Sequence, residues 1–270
     1  MQEREVNLYD LTWENSHGIL PRTDFACFIS TKEGFPKNEV RGLKYLEKYN
    51  FLNNDLNITS EIIHGKAPEL EKFKGKKVLV IGAGPTTNWY DWNANEYDFI
   101  FSCNHFFLNE KIKKSKVDLA IICNEVDLDG DKFLDYIKEN NTVLVFDDYD
   151  RDVNNIAKLK ENVSNSIIQS LLRYQPKTGV APKLVVMATL LGAKEIHYVG
   201  VDGPPKDKIK GEADDTHSFQ KNKPWGTHYP YDLFLSHYKC LKLYLETEIG
   251  KNTIYKNLGA GHEHNMMSKI

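Results

Sequence analysis

From Lys76 onward the hydrophobic positions fall into short runs set apart by polar stretches. Lys77-Val-Leu-Val-Ile81 is entered by lysines and left at Gly82, and residues 98–102, 119–123, 142–146 and 194–200 repeat the theme. Continuous apolar runs of this length predict strands buried on both faces, not the alternating pattern of a half-exposed sheet. Between them lie segments with helical character: residues 131–140, residues 184–192, which end on a glycine suited to a helix stop, and residues 232–246. Strands alternating with helices predict parallel pairing through right-handed crossovers. The fold class is therefore α/β: a doubly wound, mostly parallel, Rossmann-like sheet with helices on both faces.

The chain before this region has a different texture. It mixes an aromatic strand-like piece at 25–30, an amphipathic helical stretch at 37–49, an Asn-rich connector at 50–60 and a short helical stretch ending near Phe73. Residues 1–65 are expected to form an N-terminal extension or small subdomain, and residues 66–270 the main α/β domain. Within it, residues 204–230 are dense in Lys, Asp and Gly and long enough for a lid.

Composition narrows the class. A chain of 270 residues with 41% hydrophobic content can bury a proper core, which excludes disorder as its main state. A net charge of -3 argues against a broad basic surface, so no nucleic-acid partner is expected. The four cysteines, Cys27, Cys103, Cys123 and Cys240, form no CxxC pair and are too sparse for a disulfide framework. With no apolar core in the N-terminal residues and a mean hydropathy of -0.51, the expectation is a cytoplasmic protein. Peripheral contact with the inner face of a membrane and a homo-oligomeric state both remain compatible with that pattern.

In open α/β sheets ligands bind beyond the carboxyl ends of the strands, so the residues leaving each strand carry the candidate chemistry. After the first come Gly82-Ala-Gly84-Pro85-Thr86-Thr87, a turn whose backbone N–H groups could cradle a phosphate. It lacks the third glycine of a dinucleotide fingerprint and the lysine of a P-loop. A ligand-free strand–helix turn would explain the glycines equally well. Asn104 and Asn124 leave the next two strands, where an amide can donate to and accept from a base or ribose; turn capping accounts for them as well. Thr178-Gly179 opens the apolar helix and offers free N–H groups to an anion, and Asp202 leaves the strand at 194–200 where a carboxylate would meet a ligand hydroxyl or a metal. The lid region contributes His217, Trp225, His228 and Tyr229. Histidine suits proton transfer near neutral pH. His237 reads as an ordinary helix residue, and Cys103 lacks a partnered base that would make it a nucleophile.

Together, the Lys76–Thr87 run, Cys103-Asn104, Thr178-Gly179-Val180 and Gly192-Ala-Lys-Glu-Ile-His-Tyr-Val-Gly-Val-Asp-Gly203 resemble a superfamily. It joins the bacterial sialyltransferases of glycosyltransferase family 42, the MptE-like (DUF115) proteins and the Maf flagellin-modifying transferases. The resemblance covers roughly residues 66–265. It implies a sialyltransferase-type fold and transfer of a sugar from a nucleotide-activated donor, a CMP-linked sialic or other nonulosonic-type acid, to a glycan or glycoprotein acceptor in bacterial surface glycan synthesis. His228, in Thr227-His228-Tyr229, matches the general base of the sialyltransferases. Gly82, Gly84, Pro85 and Thr86 would approach the nucleotide phosphate. Asn104 and Asn124 would hold the sugar or base, and Thr178, Gly179, Asp202 and Tyr229 would line the donor site, with His217 and Trp225 reaching in from the lid. Thr86 replaces the usual serine. This reading requires no cofactor and no metal. The MptE-like branch implies an alternative, a diphosphokinase acting on a hydroxymethylpterin, in which Asp202, with Asp127 or Asp214, would hold Mg²⁺.

Overall fold

A computed structural model describes residues 26–30, 62–63, 67–123, 125–147, 153–172, 179–204, 213–214, 217–224, 231–246 and 250–270. Its centre is a sheet of nine strands in the order β11-β8-β3-β4-β5-β6-β7-β1-β2. Seven of them are mutually parallel: β3 (Lys77–Ile81), β4 (Phe99–Cys103), β5 (Leu119–Ile122), β6 (Val143–Asp147), β7 (Ile167–Leu172), β8 (Glu195–Val199) and, at one edge, β11 (Ile254–Asn257). Beyond β7, β1 (Ala26–Ser30) pairs antiparallel to it and β2 (Ile62–Ile63) pairs parallel to β1. The described pieces of residues 1–65 thus extend the edge of the main sheet and do not stand apart from it. A separate two-stranded ribbon joins β9 (Ala213–Asp214) to β10 (Lys223–Pro224).

The apolar runs become strands for the expected reason. Val78, Leu79, Val80 and Ile81 are all fully buried, as are Leu119, Ala120 and Ile122 in β5. The short stretch ending at Phe73 is a 3₁₀ turn, Pro68–Phe73, and Phe73 meets Phe99 and Phe101 edge-on, with centroids 4.9 Å and 4.8 Å away. That geometry favours aromatic pairs beyond the area they bury. β4 begins one residue later than the pattern suggests. The Asp98 carboxylate accepts the Lys77 N–H at 2.9 Å, so Asp98 caps the strand pair rather than joining it.

The helices are α1 (Thr86–Trp89), α2 (Asp131–Asn140), α3 (Val153–Asn162), α4 (Val180–Leu190) and α5 (Tyr231–Leu245). α2 matches its predicted span. α4 starts four residues before the expected Leu184, because Pro182 sits in its first turn, where a proline has no N–H to lose. It stops as predicted: Gly192 takes φ +76° just past the end. No described helix is long and apolar enough to cross a membrane.

Strand order places the ligand crevice. The chain runs outward from β3 through β4, β5, β6 and β7, then returns to lay β8 on the other side of β3. Right-handed crossovers put the helices of the two halves on opposite faces, so the loops leaving β3 and β8 part company and open a crevice between them.

Candidate active site

The switch point is built from two glycine-containing strand ends pressed together. Gly82 donates its N–H to Val199 O at 2.8 Å and Gly84 donates to Gly200 O at 2.9 Å. A Cβ on Gly82 would lie 2.3 Å from Gly200 O and 2.7 Å from the Ala181 Cβ, so only glycine lets β3, β8 and the start of α4 come this close. The turn then enters α1, and its two threonines face inward. Thr87 donates its hydroxyl to Gly82 O at 2.7 Å. Thr86 donates its N–H to Asp202 Oδ2 at 2.9 Å, directs its hydroxyl at the same carboxylate at 2.8 Å, and accepts the Gly200 N–H at 2.7 Å. Thr86 and Thr87 are fully buried.

Asp202 is therefore a structural anchor. Only 1% exposed, it also accepts Asn265 Nδ2 at 2.9 Å, and its backbone oxygen accepts the Met266 N–H at 2.8 Å. One carboxylate ties together the glycine turn, the end of β8 and the C-terminal segment. Burial pushes its pKa above the usual carboxylate value, and the hydrogen bonds from Thr86 and Asn265 pull against that rise. The expectation that Thr86 and Asp202 face a donor is corrected here: both side chains are absorbed by the fold. Gly82 likewise serves the packing and does not border the cavity. For the diphosphokinase reading, the carboxylate assigned to Mg²⁺ is already enclosed by hydrogen-bond donors, and Asp127 accepts the Asp129 N–H at 3.1 Å away from the cavity wall. Among the described residues, no group of three or more His, Cys, Asp and Glu side chains is placed to hold a metal ion.

Beside this anchor lies a cavity of about 380 Å³. Its floor is Ala83, Gly84, Pro85 and Gly200, with Gly179, Val180, Ala181 and Pro182 at the N-terminus of α4 forming one wall. Gly179 adopts φ +130°, a conformation a side chain would resist, and leaves open space where a Cβ would stand. The first N–H groups of α4 have no partner inside the helix, and the helix dipole makes that end attractive to an anion. Tyr238, on α5, is 3% exposed and borders the same cavity. Burial raises its phenol pKa, with nearby Asp202 adding to the effect and no hydrogen bond offsetting it, so the group is a neutral donor.

The far wall comes from β4 and β5. Asn104 takes φ +50°, which asparagine tolerates better than most residues. Its Oδ1 accepts the Cys123 N–H at 2.9 Å and its Nδ2 donates to Glu125 Oε1 at 2.7 Å, leaving one amide hydrogen and one lone pair. Glu125 Oε2 accepts Lys223 Nζ at 3.0 Å from β10, and His105 Nδ1 lies 3.9 Å from Oε1. Burial pushes the Glu125 carboxyl up, but the Lys223 charge and hydrogen bond, with His105 and His217, outweigh it and hold it below its usual value. Glu125 is ionised at neutral pH. Cys103 also borders the cavity; burial, with Glu125 nearby, pushes its thiol up to about 12, so it is no nucleophile.

The segment around Ser218 is fastened to the glycine turn. Ser218 donates its N–H to Ala83 O at 2.8 Å and its hydroxyl to Gly84 O at 2.6 Å, and Asn109 Nδ2 donates to Ser218 O at 2.7 Å. This brings His217 to the cavity wall, where its Nδ1 accepts the Gln220 N–H at 3.2 Å. His237 is buried on α5, as an ordinary helix residue would be.

Of the predicted site residues, the structure gathers Gly84, Pro85, Asn104, Gly179 and His217 around one cavity. Asn124, Thr178, Trp225, His228 and Tyr229 lie outside the described residues. No protein-family model and no curated protein matches the chain. Among solved structures, the chain is similar to a crystal structure of a variant of the sialyltransferase CST-II in complex with CMP. The two share 14% identity over 68% of this chain and 81% of that chain, with a TM-score of 0.44.

Sequence reasoning missed Glu125, Lys223, Phe234 and Tyr238, all of which border the cavity.

Proposed function

We propose that this chain is a glycosyltransferase that moves a sugar from a nucleotide-activated donor, a CMP-linked nonulosonic-type acid, to a hydroxyl of a glycan or glycoprotein acceptor. The observation that supports it most is the cavity at the β3–β8 switch point. There the N–H groups opening α4, the glycine turn and the buried Tyr238 phenol border one space suited to an anionic phosphate.

The chemistry follows from that placement. His228 takes the proton of the acceptor hydroxyl as its oxygen attacks the anomeric carbon. The bond from that carbon to the phosphate oxygen breaks, and the leaving nucleotide carries away the electron pair. The N–H groups opening α4 and the Tyr238 phenol stabilise the charge that develops on the phosphate, and the small residues of the turn let it approach. Catalysis of this kind by fixed donors needs no reorganisation at the moment of reaction. His228 is assigned by its match to the sialyltransferase general base. Its segment, residues 225–230, joins β10 to α5, and both elements contribute cavity-lining residues, Lys223 on one side and Phe234 and Tyr238 on the other.

His228→Ala is expected to fold and to bind CMP as the wild type does, while transfer from a CMP-linked donor falls by roughly 10²–10⁴-fold, the usual contribution of a general base. Circular dichroism, CMP titration and a donor-consumption assay read the three quantities. Turnover undiminished in the variant would remove the assignment.

A further inference from the structure

The cavity is polar in two opposite senses. At the β3–β8 end it presents donors: the backbone N–H groups opening α4 and the Tyr238 phenol. At the β5 end it presents an acceptor, the Glu125 carboxylate. β3 and β5 flank β4, so the two ends lie about 10 Å apart, two strand spacings. A ligand matching both ends has an anion at one extremity and hydroxyl donors at the other.

We propose that Glu125 holds the ribose hydroxyls of the nucleotide and makes the site selective for ribonucleotides over 2′-deoxyribonucleotides. This deepens the nucleotide-sugar reading and rests on it. The carboxylate is aimed from two sides. Asn104 Nδ2 fixes Oε1 at 2.7 Å, and Asn104 is itself fixed by the Cys123 N–H on its Oδ1 and by its own N–H on Ile121 O. Lys223 fixes Oε2 at 3.0 Å. An ionised carboxylate has about four lone-pair directions, so these two contacts leave acceptor capacity on both oxygens. A vicinal diol is the group that two carboxylate oxygens accept together, and dinucleotide-binding sheets use an acidic side chain beyond a strand end in this way.

Lys223 answers the obvious objection, that a carboxylate would repel a nucleotide phosphate. Its ammonium cancels the Glu125 charge locally while leaving the oxygens as acceptors. Since Lys223 belongs to β10, the ribose contact also depends on the lid segment that Ser218 fastens to the turn.

The test measures binding of CMP, UMP, GMP and AMP, each beside its 2′-deoxy counterpart, to the full chain, to Glu125→Ala and to Glu125→Gln. Circular dichroism verifies that both variants are folded. For the base that binds, the wild type should prefer the ribonucleotide by roughly tenfold or more, as expected when a hydrogen bond to a charged group is lost. Glu125→Ala should bring the ribonucleotide to the level of its deoxy form and leave the deoxy form unchanged; Glu125→Gln should fall between. Equal affinity of the wild type for both sugars, or an equal loss of both in Glu125→Ala, overturns the inference while the nucleotide site stands. Failure of every nucleotide to bind overturns the nucleotide reading and the inference together.

Discussion

Asp202→Ala is expected to lower folding stability by about 3 kcal/mol or more, from about 1–3 kcal/mol for each buried donor left without an acceptor. Three donors are stranded at once: the Thr86 N–H, the Thr86 hydroxyl and the Asn265 amide. None can turn to solvent, because Thr86 is fully buried and Asn265 is 1% exposed. The damage falls on the glycine turn, so loss of nucleotide affinity should accompany loss of stability. Guanidinium unfolding, followed by circular dichroism, gives the size of the change. A loss under about 1 kcal/mol, the worth of an ordinary surface contact, would mean that the turn does not depend on this carboxylate.

Asp202 also imposes a pH dependence of definite sign. Its folded pKa is raised above the ordinary 3.8 by burial, against the pull of Thr86 and Asn265. The folded state therefore binds the proton more tightly than the unfolded chain does. The stability this adds is complete below pH 3.8 and is lost as the pH rises through the higher folded value. Asp202→Asn removes the titration and keeps one acceptor oxygen. Its stability profile should lack that downward slope, and it should sit between the wild type and Asp202→Ala at neutral pH. A slope identical to the wild type's in Asp202→Asn would assign the titration to another group.

The same carboxylate shows where sequence reading reached and where it stopped. The strands were legible because burial on both faces leaves no room for polar residues, so Val78–Ile81 and Leu119–Ile122 could be little else. β7 escaped notice because Gln169 and Ser170 interrupt its apolar run, yet both are buried in the sheet. The position of the cavity was legible too, since parallel connectivity fixes where the strand ends part. Side-chain direction was not. Asp202 and Asn104 both leave strands, and nothing local distinguishes the one that turns inward to bind Thr86 from the one that borders the cavity. That choice depends on contacts 116 residues apart for Thr86 and Asp202. Glu125 was hidden by its neighbour Asn124, and its role became visible only when β10 brought Lys223 across from 98 residues away.

Gly200→Ala should be more damaging than any substitution that merely strains the backbone, and a second glycine supplies the scale. Gly75 has φ +72° with nothing within 4 Å of an added Cβ, so Gly75→Ala carries only the left-handed penalty of about 1–2 kcal/mol. Gly200 has nearly the same backbone, φ +69°, but its Cβ would lie 2.2 Å from Thr87 Oγ1, 2.3 Å from Gly82 O and 2.6 Å from Gly82 C. Neither partner can give way cheaply. Thr87 is fully buried with its hydroxyl bonded to Gly82 O, and Gly82 is tied to Val199 O by its N–H. Relieving the clash means parting β3 from β8 at the point where the crevice opens, which puts Gly200→Ala beyond about 4 kcal/mol, in the range of core disruption. Parallel denaturant titrations of the two variants read the difference directly. Because the same displacement moves Gly84 and the floor of the cavity, any folded fraction of Gly200→Ala should bind nucleotide poorly, whereas Gly75→Ala should bind normally. Equal, small losses in the two variants would show that β3 and β8 do not meet as closely as 2.8 Å hydrogen bonding between Gly82 and Val199 requires, and the crevice would have to be placed elsewhere on the sheet.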